Sequence, residues 1–203
     1  MNYLRFLVEE IHTVVMATAD ENGLPMTCAV DLMDWDEKGI YFLTARGKDL
    51  YTRLKQSGYA AMTGLKGSDT LSSKTVSVRG KTEELGQEPL KRLLEKNPYM
   101  YEIYPTDLSR QALTVFRLYE GTGEYFDLSK RPIDRASFSI GGEHIPPEGY
   151  EIIQACTGCQ LCRTVCPQQC IDFSRIPAVI EQEHCLHCGN CMEVCPAEAV
   201  IQR

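Results

Sequence analysis

The 203-residue chain has one tryptophan, four histidines and, beyond Lys130, no lysine. No apolar run approaches the roughly 18 residues of a membrane span, so no membrane is expected as a partner. The opening segment, MNYLRFLVEEIH, carries Glu9 and Glu10 where a secretory leader needs an apolar core, which excludes that kind of leader and points to the cytoplasm. Positive charge is scarce: 21 Lys and Arg stand against 28 Asp and Glu, a net charge of -7. That balance excludes nucleic acid as a natural partner and leaves small molecules or basic proteins. Low-complexity tracts are missing too. With 43% hydrophobic and 24% charged residues the chain is globular, and its length suits one domain of about 150 residues with a smaller appendage.

The scarcity of cations is local. From Glu151 onward the only basic residues are Arg163, Arg175 and Arg203, against Glu151, Asp172, Glu181, Glu183, Glu193 and Glu198. This shift follows the Gly/Pro-rich stretch GGEHIPPEG, which reads as a linker. Two domains are expected, 1–142 and 151–203, joined by 143–150.

Between Cys28 and Cys156 there is no cysteine; then CTGCQLCRTVCP (Cys156 to Pro167) and CLHCGNCMEVCP (Cys185 to Pro196) repeat one spacing at an offset of 29 residues. A reducing cytosol makes closely spaced cysteines metal ligands before disulfides. Zinc sites pair C-x2-C knuckles at a distance, whereas here a third cysteine follows at the same short interval and a fourth precedes proline. Each copy, C-x2-C-x2-C-x3-C-P, resembles the run of two-cluster [4Fe-4S] ferredoxins, in which the fourth cysteine ligates the other cluster. The resemblance covers nearly all of Glu151 to Arg203. It implies Cys156, Cys159, Cys162 and Cys195 on cluster one, and Cys185, Cys188, Cys191 and Cys166 on cluster two. Cys170 is then a core thiol. His184 and His187, beside Cys185, read as solvent-facing, with cluster tuning as the alternative.

Ahead of the linker, Leu4, Leu7, Val8 and Ile11 mark a short amphipathic helix,. After it the period changes to two. TVVMATA, LPMTCAVDL, GIYFLT, YAAMTGL, KTVSVRGKTEEL, QALTVFRLY and GEYF are short β-branched or aromatic segments separated by turns such as DENG and DEKG,. They predict a barrel or sandwich. Helices are expected near Lys48 to Ser57, stopped by Gly58, and near Pro89 to Asn97, ended by Pro98. Arg79 and Lys81 should share one face of their strand, opposite Val78 and Gly80. GIYFLTARGKDLYTRL places a hydroxyl and cations where a strand passes into a helix start, an arrangement open to phosphate.

That order of helix, hairpin closed by DEKG, strand GIYFLT and lysine-started helix resembles the FMN-binding split barrel of the pyridoxamine 5'-phosphate oxidase-like family, over about Leu4 to Gly142. The fold implied is mainly β: a split barrel with short helices, then a small α+β ferredoxin-like domain. The resemblance implies that Thr44 and Lys48 hold the FMN phosphate with help from Arg46. It lays Thr27, Cys28 and Val30 along the isoalloxazine, with Lys74 and Thr75 supplying polar groups from a later strand. FMN in this family lies at a dimer interface, which implies a homodimer. Two features depart from the oxidase proper: its C-terminal Arg-x-His element is missing, so pyridoxamine phosphate oxidation is not the expected activity, and Cys28 stands where it has an arginine, which alters the flavin contacts the resemblance implies. Cys28 and Trp35 read as packed residues; His12 and His144 read as structural or solvated. NPYMYEIYP suits either a pocket lining or an anchor for its helix.

A flavin handles two electrons and a cluster one, so the joined parts predict a converter between an external one-electron carrier and a small molecule, with no side chain marked as general acid. Two alternatives are a pure electron-transfer protein without its own substrate and a redox-sensing module whose barrel holds haem or a deazaflavin.

Overall fold

Alternation of apolar and polar positions decides which side of each strand faces inward. In the computed structural model, which describes Met1–Arg203 throughout, β1 (Thr13–Ala19) buries Val14 and Met16 while Val15 is 56% exposed. The period recurs in β4 (Tyr59–Lys66), which buries Ala60 and Met62, and in β5 (Lys74–Gly86), which buries Val76 and Val78. On β5, Arg79 and Lys81 share the exposed side opposite Val78 and Gly80, as expected. β3 (Gly39–Ala45) is buried from Gly39 through Thr44, since both its faces are covered.

With β2 (Pro25–Asp36), β6 (Leu113–Asp127) and β7 (Asp134–Ile140), the sheet runs β3-β2-β1-β4-β5-β6-β7. A further pairing of β3 with β6 closes the first six strands into a barrel. Phe42 lies opposite Phe116 in that seam, their rings stacked at 5.8 Å. At Gly39 (φ +140°) a Cβ would stand 1.9 Å from the Leu118 carbonyl oxygen, so the seam admits only glycine there,. QALTVFRLY and GEYF form one strand, because Gly121 and Gly123 continue β6 instead of ending it. β7 arises in a stretch with no strand signal of its own, as the edge partner of β6.

The opening segment is α1 (Tyr3–Arg5) running into a π-helical turn, Phe6–Ile11, closed by the His12 N–H on the Leu7 carbonyl. Phe6, Leu7 and Val8 are buried side by side, a wider apolar face than an α-helical stripe offers. α2 (Asp49–Ser57) ends at Gly58 in the left-handed conformation. α3 (Leu90–Lys96) presses Leu90, Leu93 and Leu94 onto Met33, Tyr41, Leu43 and Val115, followed by α4 (Met100–Ile103) and α5 (Asp107–Arg110). No helix is long and apolar enough to cross a membrane.

The chain divides into two compact units: Met1–Lys66 with Thr75–Tyr125 and Ser137–His144, and Ile145–Arg203 with Gly67–Lys74 and Phe126–Ala136. In the second unit β8 (Tyr150–Ile152) pairs with β11 (Val200–Gln202), and β9 (Ile171–Asp172) with β10 (Val179–Ile180). α6 (Leu161–Val165) and α7 (Asn190–Glu193) begin 29 residues apart. The same offset relates the left-handed residues Gly158, Gln160 and Gln169 to His187, Gly189 and Glu198. The sequence repeat is therefore a repeat of backbone conformation.

Candidate functional site

β2, β3 and the start of α2 enclose a cleft of about 530 Å³ in the first unit. Cys28, Val30 and Asp31 come from β2, Leu43 and Thr44 from β3, and Lys48 and Arg53 from the helix start and its second turn. Thr44 is 4% exposed and its Oγ1 has no hydrogen-bond partner in the chain. A buried hydroxyl left unpaired is costly, and here it shares the cleft with two cations. Lys48 caps α2 in extended backbone with no side-chain capping bond, so the first N–H groups of the helix lack an intrahelical partner. Arg53 donates through Nε to Thr18 Oγ1 at 2.8 Å, which aims its guanidinium. Asp49 also lines the cleft and opposes an anion at that end. Met100, Ile103 and Tyr104 close one wall, so NPYMYEIYP serves as lining.

The same stretch also anchors, through Tyr99. Its hydroxyl donates to Asp31 Oδ2 at 3.0 Å, while Thr13 Oγ1 donates to Asp31 Oδ1 at 2.6 Å. His12 Nε2 lies 3.0 Å from the same hydroxyl. Because the one hydroxyl hydrogen goes to Asp31, Nε2 must carry the proton of the second contact. Burial, and then the bond to Asp31, push the Tyr99 pKa up. His12 itself sits at φ 68°, ψ -62°, the strained geometry of a γ-turn. Asp31 is thus a fixed carboxylate on the cleft wall. Its partners lie 18 and 68 residues away, so no local pattern announces it.

Other expected residues lie elsewhere. Arg46 donates to the Gln111 carbonyl and does not line the cleft; the turn after β3 sends it toward the chain ahead of β6. Thr27 is exposed, and strand alternation aims it away from Cys28,. Lys74 pairs with the buried carboxylate of Asp127 at 3.5 Å, and neither it nor Thr75 lines the cleft of its own chain. Trp35 donates to Glu9 Oε1 at 2.9 Å, tying the hairpin to the opening helix.

In the second unit, Cys166, Cys185, Cys188 and Cys191 surround one hollow, and Cys156, Cys159, Cys162 and Cys195 another. No group of three His, Cys, Asp or Glu side chains stands close enough to hold a single ion. Four thiols spread around a hollow suit a metal-sulfide core larger than one ion. Cys159 and Cys188 are exposed, so each hollow reaches the surface. Backbone N–H groups point at two of these sulfurs, from His187 to Cys185 at 3.4 Å and from Ala199 to Cys195 at 3.3 Å. Cys170 is buried beside the second hollow, its Sγ 3.7 Å from that of Cys166. A hydrogen bond with Cys185, then burial, raise its pKa. His184 and His187 are half-buried instead of solvent-facing: His184 Nδ1 lies 2.7 Å from the Ile133 carbonyl, and His187 meets the Tyr150 ring edge-on.

The model of the pyridoxamine 5'-phosphate oxidase family matches residues 3–124. The chain belongs to that family. Past its family barrel it carries a 4Fe-4S dicluster domain, matched over residues 155–199. Over 48 residues it is 40% identical to a component of the ion-translocating oxidoreductase complex of Methanosarcina acetivorans, covering 24% of this chain and 18% of that protein. The chain spans under half the length of the curated relatives it matches. A NimC/NimA family protein from Clostridium acetobutylicum superposes with TM-score 0.58 at 16% identity, covering 69% of this chain and 92% of that one. A heme binding protein from Mycobacterium smegmatis gives TM-score 0.52 at 14% identity, covering 66% and 56%. At these identities the two structures share the fold of the barrel.

Proposed function

We propose that this member of the family is an iron-sulfur flavoprotein oxidoreductase. The barrel cleft takes FMN, and the eight repeated cysteines take two [4Fe-4S] clusters in the crossed sets above. When bound, FMN exchanges two electrons with a small molecule and single electrons with clusters, which joins one-electron to two-electron chemistry. The observation that carries the reading is the buried, unpartnered Thr44 Oγ1 in the cleft it shares with Lys48 and Arg53. Thr44 donates to the phosphate, Lys48 and Arg53 supply charge, and the N-terminus of α2 adds free N–H groups. Cys28, Val30 and Leu43 give the apolar wall for a ring system, and Asp31, held by Thr13 and Tyr99, gives one fixed polar contact. Exposed Cys159 and Cys188 bring the clusters within reach of an external carrier.

Val15 (56%), Tyr59 (45%) and Leu65 (60%) leave apolar side chains exposed on the neighbouring strands β1 and β4, and we place a homodimer contact there. Val15→Arg is expected to give a monomer in light scattering; an unchanged mass would move the contact elsewhere.

Anaerobic mixing with a reduced ferredoxin tests the coupling. The flavin absorbance of the wild type is expected to bleach, whereas Cys188→Ala keeps photoreduction but loses at least tenfold in bleaching by ferredoxin. Equal bleaching in both proteins would break the proposed route. The heme binding protein on the same fold makes haem the rival occupant. No histidine lines the cleft, which favours flavin, and extraction of the bound group decides between them.

A further inference from the structure

We infer that Cys170 is a positioning residue for the second cluster: its thiol donates a hydrogen bond to the ligand sulfur of Cys166, so this cluster holds an electron more tightly than the first. The inference rests on the crossed ligand sets proposed above.

The two halves of the unit provide the comparison. Residues 29 apart share backbone conformation, helix starts and strand positions, and Cys170 corresponds in this register to Ala199. Both are buried, at 2% and 1% exposure. In both halves the preceding residue, Gln169 or Glu198, donates its N–H to the carbonyl of the ligand cysteine, Cys166 or Cys195. The side chains differ. Cys170 Sγ stands 3.7 Å from Cys166 Sγ, and both border the hollow of the second set. Ala199 offers a methyl group, which donates nothing.

The difference acts on the charge of the sulfurs. A ligand thiolate has no hydrogen of its own and accepts one from a neighbouring S–H. Reduction adds negative charge to the cluster and its sulfurs, so a donor there stabilises the reduced form and raises the potential. This donor biases one electron to pass from the first cluster, which is oxidised, to the second, which is reduced. No bond breaks and no proton moves. Cys170 therefore sets a resting place for the electron, and with it a direction.

The test is an electron paramagnetic resonance titration of the full chain, prepared anaerobically, with iron counted on the same sample. The wild type is expected to hold about eight iron and to reduce in two separate one-electron steps. Cys170→Ala should keep its iron while the higher step falls roughly threefold to tenfold in its reduction equilibrium, tenfold being about 59 mV for one electron. Cys170→Ser, which keeps a donor, should leave that step near its original place, and this separates donation from volume. Full iron with unmoved steps in Cys170→Ala would overturn the inference. So would loss of about half the iron, which would make Cys170 a ligand. A wild type without cluster iron would instead overturn the underlying ligand reading, and it is seen before any variant is made.

Discussion

The two units are held together by different materials. The barrel closes on aromatic and aliphatic side chains, with Phe42, Phe116, Ile40 and Leu118 almost wholly buried at its seam. The second unit has two ladders of two strands, and three of the nine buried residues of its core cluster are Cys170, Cys185 and Cys191, with Cys156, Cys162, Cys166 and Cys195 packed against them. Thiols of the repeated motif are also its core. A unit this poor in apolar side chains cannot offset the entropy of ordering its chain without help, whereas the barrel can.

The sharpest way to break this comparison is to strip the iron with a chelator and an oxidant. Proteolysis is then expected to cut throughout Ile145–Arg203 while the barrel survives, because metal-binding free energy is folding free energy in such units. A second unit that stays resistant without iron would end the contrast.

A smaller effect is expected at the cleft, whose ligand adds to a fold that already stands. With FMN bound as proposed, Thr44→Val would remove one hydrogen bond to a charged phosphate, about 1.5–3 kcal/mol, or roughly tenfold to a hundredfold in FMN affinity. Fluorescence titration of the apoprotein measures it, with melting temperature as the check that the barrel is intact. Unchanged affinity would remove Thr44 from the site.

The smallest concerns the barrel's own charges. Burial acts to raise the Glu84 pKa, but hydrogen bonds from Thr114 and Tyr51 and the ion pair with Lys55 outweigh it and leave it lowered. A carboxylate with a depressed folded-state pKa contributes stability that is full above its unfolded pKa and is lost as pH falls through the folded one. Acid should therefore cost the wild type more than Glu84→Gln, by about 1 kcal/mol or less for a partly screened group. Parallel stability curves between pH 3 and pH 7 would refute it.

The contrast between the units also governs how much of each is legible in sequence. Three cysteines of each hollow lie close together in the chain, so the spacing of Cys156 to Cys162 and of Cys185 to Cys191 carries most of the grouping that the hollows display, while the crossed fourth members, Cys195 and Cys166, are non-local. The barrel strands follow their period of two, and Thr44 and Lys48 follow from the strand-to-helix turn. What sequence missed is non-local. Arg53 enters the cleft because Thr18, 35 residues away, orients it. Asp31 is fixed through Tyr99, 68 residues on, with His12 behind it. Arg46 lies in the expected loop, yet its guanidinium bonds Gln111, 65 residues on. β7 exists because β6 gives it a partner. Gly67–Lys74 and Phe126–Ala136 pack with the C-terminal unit without any local composition to mark them.

The central claim is that one chain carries both kinds of redox group. Anaerobic purification with iron, sulfide and acid-released flavin assayed on one sample tests it most directly. About eight iron, about eight sulfide and about one FMN per chain are expected, the load of two cubane clusters and one flavin. Iron and sulfide at that level with no flavin, or with haem in its place, would contradict it.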